Sequence, residues 1–210
     1  MNTPTTAPSP ALTVRDLAVR RGERLLVERL SFTVAPGRVL LLRGPNGAGK
    51  SSLLLTLAGL LQPAAGTIGY GTDEDDYFRH LHFVGHQPGI KARLTLRENL
   101  DFWIRVFGGS GQASEAALAE VGLGGLGGLE AGYLSSGQTR RLALARLLVA
   151  ERPVWLLDEP TAGLDSSGDA MVGRLIARHA AAGGITLAAT HHDLPLGPDL
   201  VHTLTLGTPK

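Results

Sequence analysis

Gly44-Pro45-Asn46-Gly47-Ala48-Gly49-Lys50-Ser51 satisfies the pattern G-x-x-x-x-G-K-[S/T] at every specified position. Ahead of it runs Arg38-Val39-Leu40-Leu41-Leu42-Arg43, an apolar segment of buried-strand character, and residues 53–61 after it read as a core-facing helix. Strand, glycine loop and helix are the setting in which this pattern holds phosphate. The glycines let the backbone curl so that successive N–H groups point at an anion, and the helix N-terminus adds partial positive charge. Lys50 would then reach the β- and γ-phosphates, and the Ser51 hydroxyl, with Ser52 beside it, would hold Mg²⁺. The stretch predicts nucleotide binding in an α/β domain.

At 210 residues and 43% hydrophobic, the chain can bury the core of one domain, expected over 11–210 behind a polar, proline-rich and disordered tail at 1–10. Twenty basic against nineteen acidic residues leave a net charge of +1, which implies no nucleic acid or anionic membrane surface as a bulk electrostatic partner. The chain has no cysteine, which excludes disulfides and thiolate metal sites and fits a reducing compartment. The tail lacks the charged and apolar regions of a signal peptide. The longest apolar run, 53–61, is too short to cross a bilayer, so the isolated chain is expected to be soluble.

Residues 12–19, 25–26 and 31–34 are short alternating segments punctuated by Gly22 and Pro36-Gly37, and predict a small antiparallel sheet, with 67–70 as a further strand. The acidic run at 73–76 reads as a solvated loop. His80 and His82 stand at strand spacing, with His86 beyond them, and no acid or cysteine lies at ligand spacing, so a structural role is expected rather than a metal or haem site.

From Thr95 the pattern becomes helical. Thr95-Leu96-Arg97-Glu98 is a capping box, opening a helix that runs to about residue 106. Residues 114–121 form another, and 122–128 a glycine-rich connection that is either mobile or a compact series of turns. Residues 88–151 thus predict a helical insertion within an α/β domain. Leu134-Ser135-Ser136-Gly137-Gln138 then precedes a helix over 139–150, as a simple cap or as a second phosphate-facing helix N-terminus. Val154-Trp155-Leu156-Leu157-Asp158 predicts a buried parallel strand delivering Asp158 to Mg²⁺, with Glu159 placed to orient or deprotonate a water.

Gly44 to Ser51, Gln87, Leu134 to Gln138, Val154 to Glu159, Gly163-Leu164-Asp165 and His191 follow the order and rough spacing of the ATP-binding cassette (ABC) ATPases, which the chain resembles over about 12–206. The resemblance implies a RecA-like P-loop NTPase core, with an N-terminal antiparallel β subdomain and an inserted α-helical subdomain at about 88–151. It implies ATP and Mg²⁺ as cofactors, the metal held by Ser51, Asp158 and Gln87. Gln87 would also contact the lytic water and sense a membrane partner. Ser135, Gly137 and Gln138 would belong to the signature, in which Ser136 replaces the usual glycine. Asp165 would be the D-loop aspartate and His191 the switch histidine, with His192 incidental. Catalysis would rest on Glu159, His191, Gln87 and Lys50. One departure stands out: the aromatic that stacks on adenine in the family falls here at Arg21, whose guanidinium plane can stack instead.

Phe83-Val84-Gly85-His86-Gln87-Pro88-Gly89-Ile90-Lys91, Leu94-Thr95, Glu98-Asn99-Leu100 and the Arg140-Arg141 helix resemble more narrowly the CcmA group, ATP-binding subunits of the haem exporter of bacterial cytochrome c maturation. That likeness implies an ATPase coupled to transport, peripheral on the cytoplasmic face of the inner membrane. Its partners would be a second copy, packed head to tail on ATP binding, and a separate integral-membrane permease of the CcmB type, seated by analogy along 87–95 with Arg93 at the contact. No direct haem binding is expected. The alternatives are the nucleotide-binding subunit of another small-molecule or lipid ABC exporter, a soluble non-transport cassette ATPase, and a regulatory subunit without turnover.

Overall fold

Period-two alternation in the first segments builds a sheet with one face in the core. In the computed structural model, which describes residues 11–71, 80–109 and 111–207, β1 (Leu12–Arg21) pairs antiparallel with β2 (Arg24–Val34) through the turn at Gly22. Leu12, Val14, Leu17 and Val19 are buried. The two segments expected at 25–26 and 31–34 are a single strand, because backbone irregularities at Asp16 and Arg29, both with positive φ, absorb the slip in register between them. The expected strand at 67–70 is β4 (Ala65–Gly69), on the other edge of β1. The tail at 1–10 and the acidic run at 73–76 lie outside the described residues.

The second sheet is parallel throughout, in the order β5 (Leu81–Val84), β6 (Val154–Asp158), β7 (Ile185–Ala189), β3 (Val39–Arg43), β8 (Val201–Thr205). β6 and β7 are buried at every residue, as a sheet covered on both faces requires. Alternation sorts their side chains between two cores. Leu40, Leu42, Leu156 and Leu187 pack with α1 (Lys50–Leu57) and the antiparallel sheet. Leu41, Trp155, Leu157 and Ala188 pack with α5 (Ser166–Ala181) and the helical block.

That block holds α2 (Leu96–Phe107), α3 (Ser114–Glu120) and α4 (Ser136–Val149). The Thr95 side chain accepts from the Glu98 amide while Glu98 accepts from Thr95, which completes the capping box. The glycine-rich connection after α3 is a chain of tight turns, with Leu123 N–H donating to Leu118 O, Leu126 to Leu123 and Leu129 to Leu126. Leu123 is buried beneath it.

Two helix boundaries move. The helix expected at 53–61 starts at Lys50 and ends at Leu57, leaving Leu60 exposed, because residues 59–61 fold into a turn bonded back to Leu55 and Thr56. The helix expected at 139–150 starts at Ser136, because Ser135 and Gln138 form a second capping box that brings Gly137 and Gln138 inside the first turn. His82 is buried in β5, its Nε2 2.6 Å from Ala150 O and its ring edge-on to Phe107, which is a structural role.

Candidate nucleotide-binding site

Parallel pairing aligns the carboxyl ends of the strands: Leu42 and Asp158 both lie beside Ala189, and Val84 lies beside Leu157. The segments leaving β3, β5, β6 and β7 therefore emerge at one edge of the sheet, where ligands gather in open α/β folds. From β3 comes the loop Gly44 to Gly49. Gly44 is required there: its φ is +133°, and a Cβ would fall 2.3 Å from Leu206 O. Gly49, in the left-handed conformation, is the N-cap of α1. Ala48 N–H donates to Pro45 O, which closes the curl.

Lys50 is buried, and its Nζ donates to Gly44 O at 2.7 Å and Pro45 O at 3.0 Å. Its charge is thus folded back over the loop, beside the open space that a phosphate chain needs. That space is a cleft of about 620 Å³ lined by Asn46, Gly47, Gly49, Lys50, Ser51, Ser52, Asp158, Glu159, His191 and, from the β1–β2 hairpin, Arg21. Asp158 is buried at the end of β6. Glu159 has φ +49°, and its N–H donates to Ala189 O at 2.8 Å, so the chain turns sharply as it leaves the strand. His191 Nε2 stands 3.5 Å from Glu159 Oε1. The segment after β7 is held by Arg43, which donates to Thr190 O at 3.0 Å and pairs with Asp193 at 2.6 Å.

The donor set fits Mg·ATP: a lysine and a ring of loop amides for phosphate, and a hydroxyl and a buried carboxylate, Ser51 and Asp158, for a hard cation that prefers oxygen. Gln87 does not line this cleft. It lines a second groove of about 570 Å³ with Leu60, Lys91, Phe102 and Trp103, while its neighbour His86 lines the nucleotide cleft. Arg93, expected at a contact in this region, is exposed without lining that groove; Lys91 and Arg146 line it instead.

Ser135, Gly137, Gln138 and Asp165 also lie off the cleft. They form their own cluster, in which a Cβ on Gly137 would fall 2.9 Å from Gly163 O, and Arg141 pairs with Asp165 at 3.2 Å. The Asp165 side chain caps α5 through the Gly168 amide, and this bond, with that from Ser167, holds its carboxyl below the usual range. Arg24, Leu26, His86, Ala162 and His192 line the cleft without having been singled out as binding residues. The Arg21–Arg24 pairing across the hairpin turn was the signal available for Arg24.

The chain matches the ABC transporter family over residues 27–162. It is 50% identical over 193 residues to the cytochrome c biogenesis ATP-binding export protein CcmA of Rhizobium johnstonii, covering 88% of this chain and 90% of that protein. It is also 50% identical to the protein so named from Ruegeria pomeroyi, over 90% and 89% of the two chains. Among solved structures, a putative ABC transporter ATP-binding protein from Pyrococcus furiosus superposes with a TM-score of 0.80 at 27% identity, covering 92% of this chain and 97% of that one. Together with a cleft built from the P-loop, Asp158, Glu159 and His191, these likenesses show that the chain belongs to the ABC transporter family of ATP-binding proteins.

Proposed function

We propose that this chain is the ATP-hydrolysing subunit of the haem exporter of cytochrome c maturation, peripheral on the cytoplasmic face of the bacterial inner membrane. The observation that carries the reading is one cleft holding Lys50, Ser51, Asp158, Glu159 and His191, in a chain half identical to CcmA proteins. Among the described residues no helix is long and apolar enough to cross a membrane, which supports a separate permease of the CcmB type. The groove lined by Gln87, Lys91, Phe102 and Trp103 offers that permease a seat.

In the proposed reaction the loop amides and Lys50 bind the β- and γ-phosphates. Ser51 and Asp158 would hold Mg²⁺, which would supply positive charge to offset that of the phosphates. Glu159 takes the proton of the attacking water, and His191, beside it, holds the γ-phosphate side of the site. Gln87 joins them only when the segment after β5 moves toward the cleft. The signature at Ser135 to Gln138 and Asp165 act on the ATP of a second copy packed head to tail. Haem is handled by the complex and not bound by this chain.

Deleting the gene from a bacterium that makes c-type cytochromes and restoring it tests the reading. Haem-stained cytochrome c should vanish and return with the wild-type chain but not with Lys50→Ala. Cytochrome c left intact by the deletion would assign the chain to another exporter.

A further inference from the structure

The surface of α4 that faces the sheet carries two buried arginines six residues apart, Arg140 and Arg146, and among the described residues neither has a carboxylate hydrogen-bonded to it. Both donate to main-chain carbonyls, Arg146 within β5 and Arg140 just beyond its end. Arg146 donates to Phe83 O and lies 4.5 Å from the ring of Trp103, in the wall of the groove that Gln87 lines. Arg140 donates to Gly85 O at 2.9 Å and His86 O at 3.5 Å, the two carbonyls just ahead of Gln87. Burial lowers the pKa of both guanidinium groups, that of Arg146 to about 10. Around Arg140, Asp158 and Glu159 are near enough to offset part of that cost. Next along the helix, Arg141 holds Asp165 and Ser167.

A buried guanidinium aimed at main-chain oxygens is a costly way to pack a helix, since an apolar side chain would fill the space without desolvating a charge. What it supplies is a fixed geometry. Its planar fork holds two successive carbonyls of a loop that has no sheet partner there, and it does so from the helix whose N-terminus is the signature. One end of this rigid element therefore grips the segment that must present Gln87, and the same end lies within electrostatic reach of Asp158 and Glu159.

We propose that Arg140 is a positioning residue for turnover: it ties the backbone ahead of Gln87 to the signature helix α4, so that Gln87 and Glu159 take up their places together when ATP is bound. The proposal rests on the reading of Glu159 and Gln87 as turnover residues. Arg140 meets the cleft's lining at the His86 main-chain carbonyl, while the P-loop, Lys50 and Ser51 that would hold ATP are positioned without it, so its loss should leave ATP binding nearly unchanged.

Arg140→Lys keeps the charge with a single-point donor, and Arg140→Gln keeps donors but loses the charge and the reach. Both are compared with wild type for ATP stoichiometry and dissociation constant, and for kcat and KM on the complex assembled with its permease. Expected are one ATP per chain, a dissociation constant and KM within about twofold of wild type, and kcat lower by about 10-fold in Arg140→Lys and up to about 10²-fold in Arg140→Gln, the scale of a small misplacement of reacting groups. A purely structural arginine would instead lower the fraction of chains that bind ATP, leaving kcat per bound ATP unchanged, and that result overturns the proposal. So does kcat within twofold of wild type in both variants, or the failure of both to bind ATP at all. Wild-type complex that hydrolyses no ATP would overturn the proposed function rather than this role.

Discussion

His191 Nε2 stands 3.5 Å from Glu159 Oε1, although 32 residues separate them in sequence. The pair meets because β6 and β7 are parallel neighbours whose last residues, Asp158 and Ala189, lie side by side. Glu159 then takes a left-handed backbone conformation, φ +49°, which for a residue with a side chain costs on the order of 1–3 kcal/mol. Strain of that kind persists where surrounding contacts over-determine it, and here the Glu159 amide is tied to Ala189 O. The result is a carboxylate aimed into the cleft next to an imidazole, an arrangement suited to managing a water and the phosphate it attacks.

Glu159→Gln keeps size and hydrogen bonding and loses the proton acceptor. Mg·ATP binding should survive, since Lys50, Ser51 and the loop amides are untouched. Turnover should fall by roughly 10²–10⁴-fold, the usual cost of losing a general base. ATP-loaded variant should accumulate as a dimer in size exclusion, because hydrolysis is what would reopen it, whereas Lys50→Ala should not dimerise. Phosphate release at the wild-type rate from Glu159→Gln would assign the base elsewhere.

Arg21 lines the cleft, as expected of the residue standing where the family carries an aromatic, and Arg24 faces it across the hairpin. If the guanidinium stacks on the base, Arg21→Ala should weaken ATP binding by about 1 kcal/mol, roughly fivefold in the dissociation constant. Arg21→Tyr should hold or improve it. Titration of Mg·ATP into the three proteins checks this, and an unchanged constant in Arg21→Ala would remove Arg21 from base recognition.

Lys91 sits in the groove wall, 4.8 Å from the Phe102 ring, while Arg93 lies outside the groove. Charge reversal at Lys91 should therefore weaken co-purification with the permease several-fold more than reversal at Arg93, and basal ATP hydrolysis of the isolated chain should change little in either. Equal loss of partner binding in both variants would move the seat away from this groove.

Stability should respond to acid through two buried histidines. Burial pushes His82 down to about 3; its bond to Ala150 O opposes this, and Arg146, Arg152 and His179 add to it. Burial likewise pushes His179, stacked 3.9 Å from the Trp155 ring, down to about 4, against backbone bonds at Ile185 and Pro153. In the unfolded chain both take a proton near pH 6.5, so below that pH the unfolded state binds more protons. Stability contributed by the neutral forms is complete above about 6.5 and is lost as pH falls toward about 4 and about 3. The urea midpoint should drop between pH 7 and pH 5, and His82→Gln should shallow that drop. A midpoint independent of pH over this range in the wild type would contradict the assignment.

The sequence by itself determined what depends on neighbouring residues. The P-loop, the capping box at Thr95 and the strand ending at Asp158 each combine local backbone preference with apolar periodicity, and both are written within a dozen residues. For the same reason the cleft's P-loop and Asp158-Glu159 components were legible before any fold was known. Strand order and register were decided only by the tertiary structure, because pairing β6 with β7 and β3 with β7 joins segments distant in the chain. Pairing β6 with β7 sets Glu159 against His191, and pairing β5 with β6 places β5 where α4 packs, so that Arg140 meets the carbonyls of Gly85 and His86 and Gln87 lines the neighbouring groove. A lone arginine on a helix carries no local signal of such a role, since the carbonyls it holds lie 54 and 55 residues away and only packing brings them together.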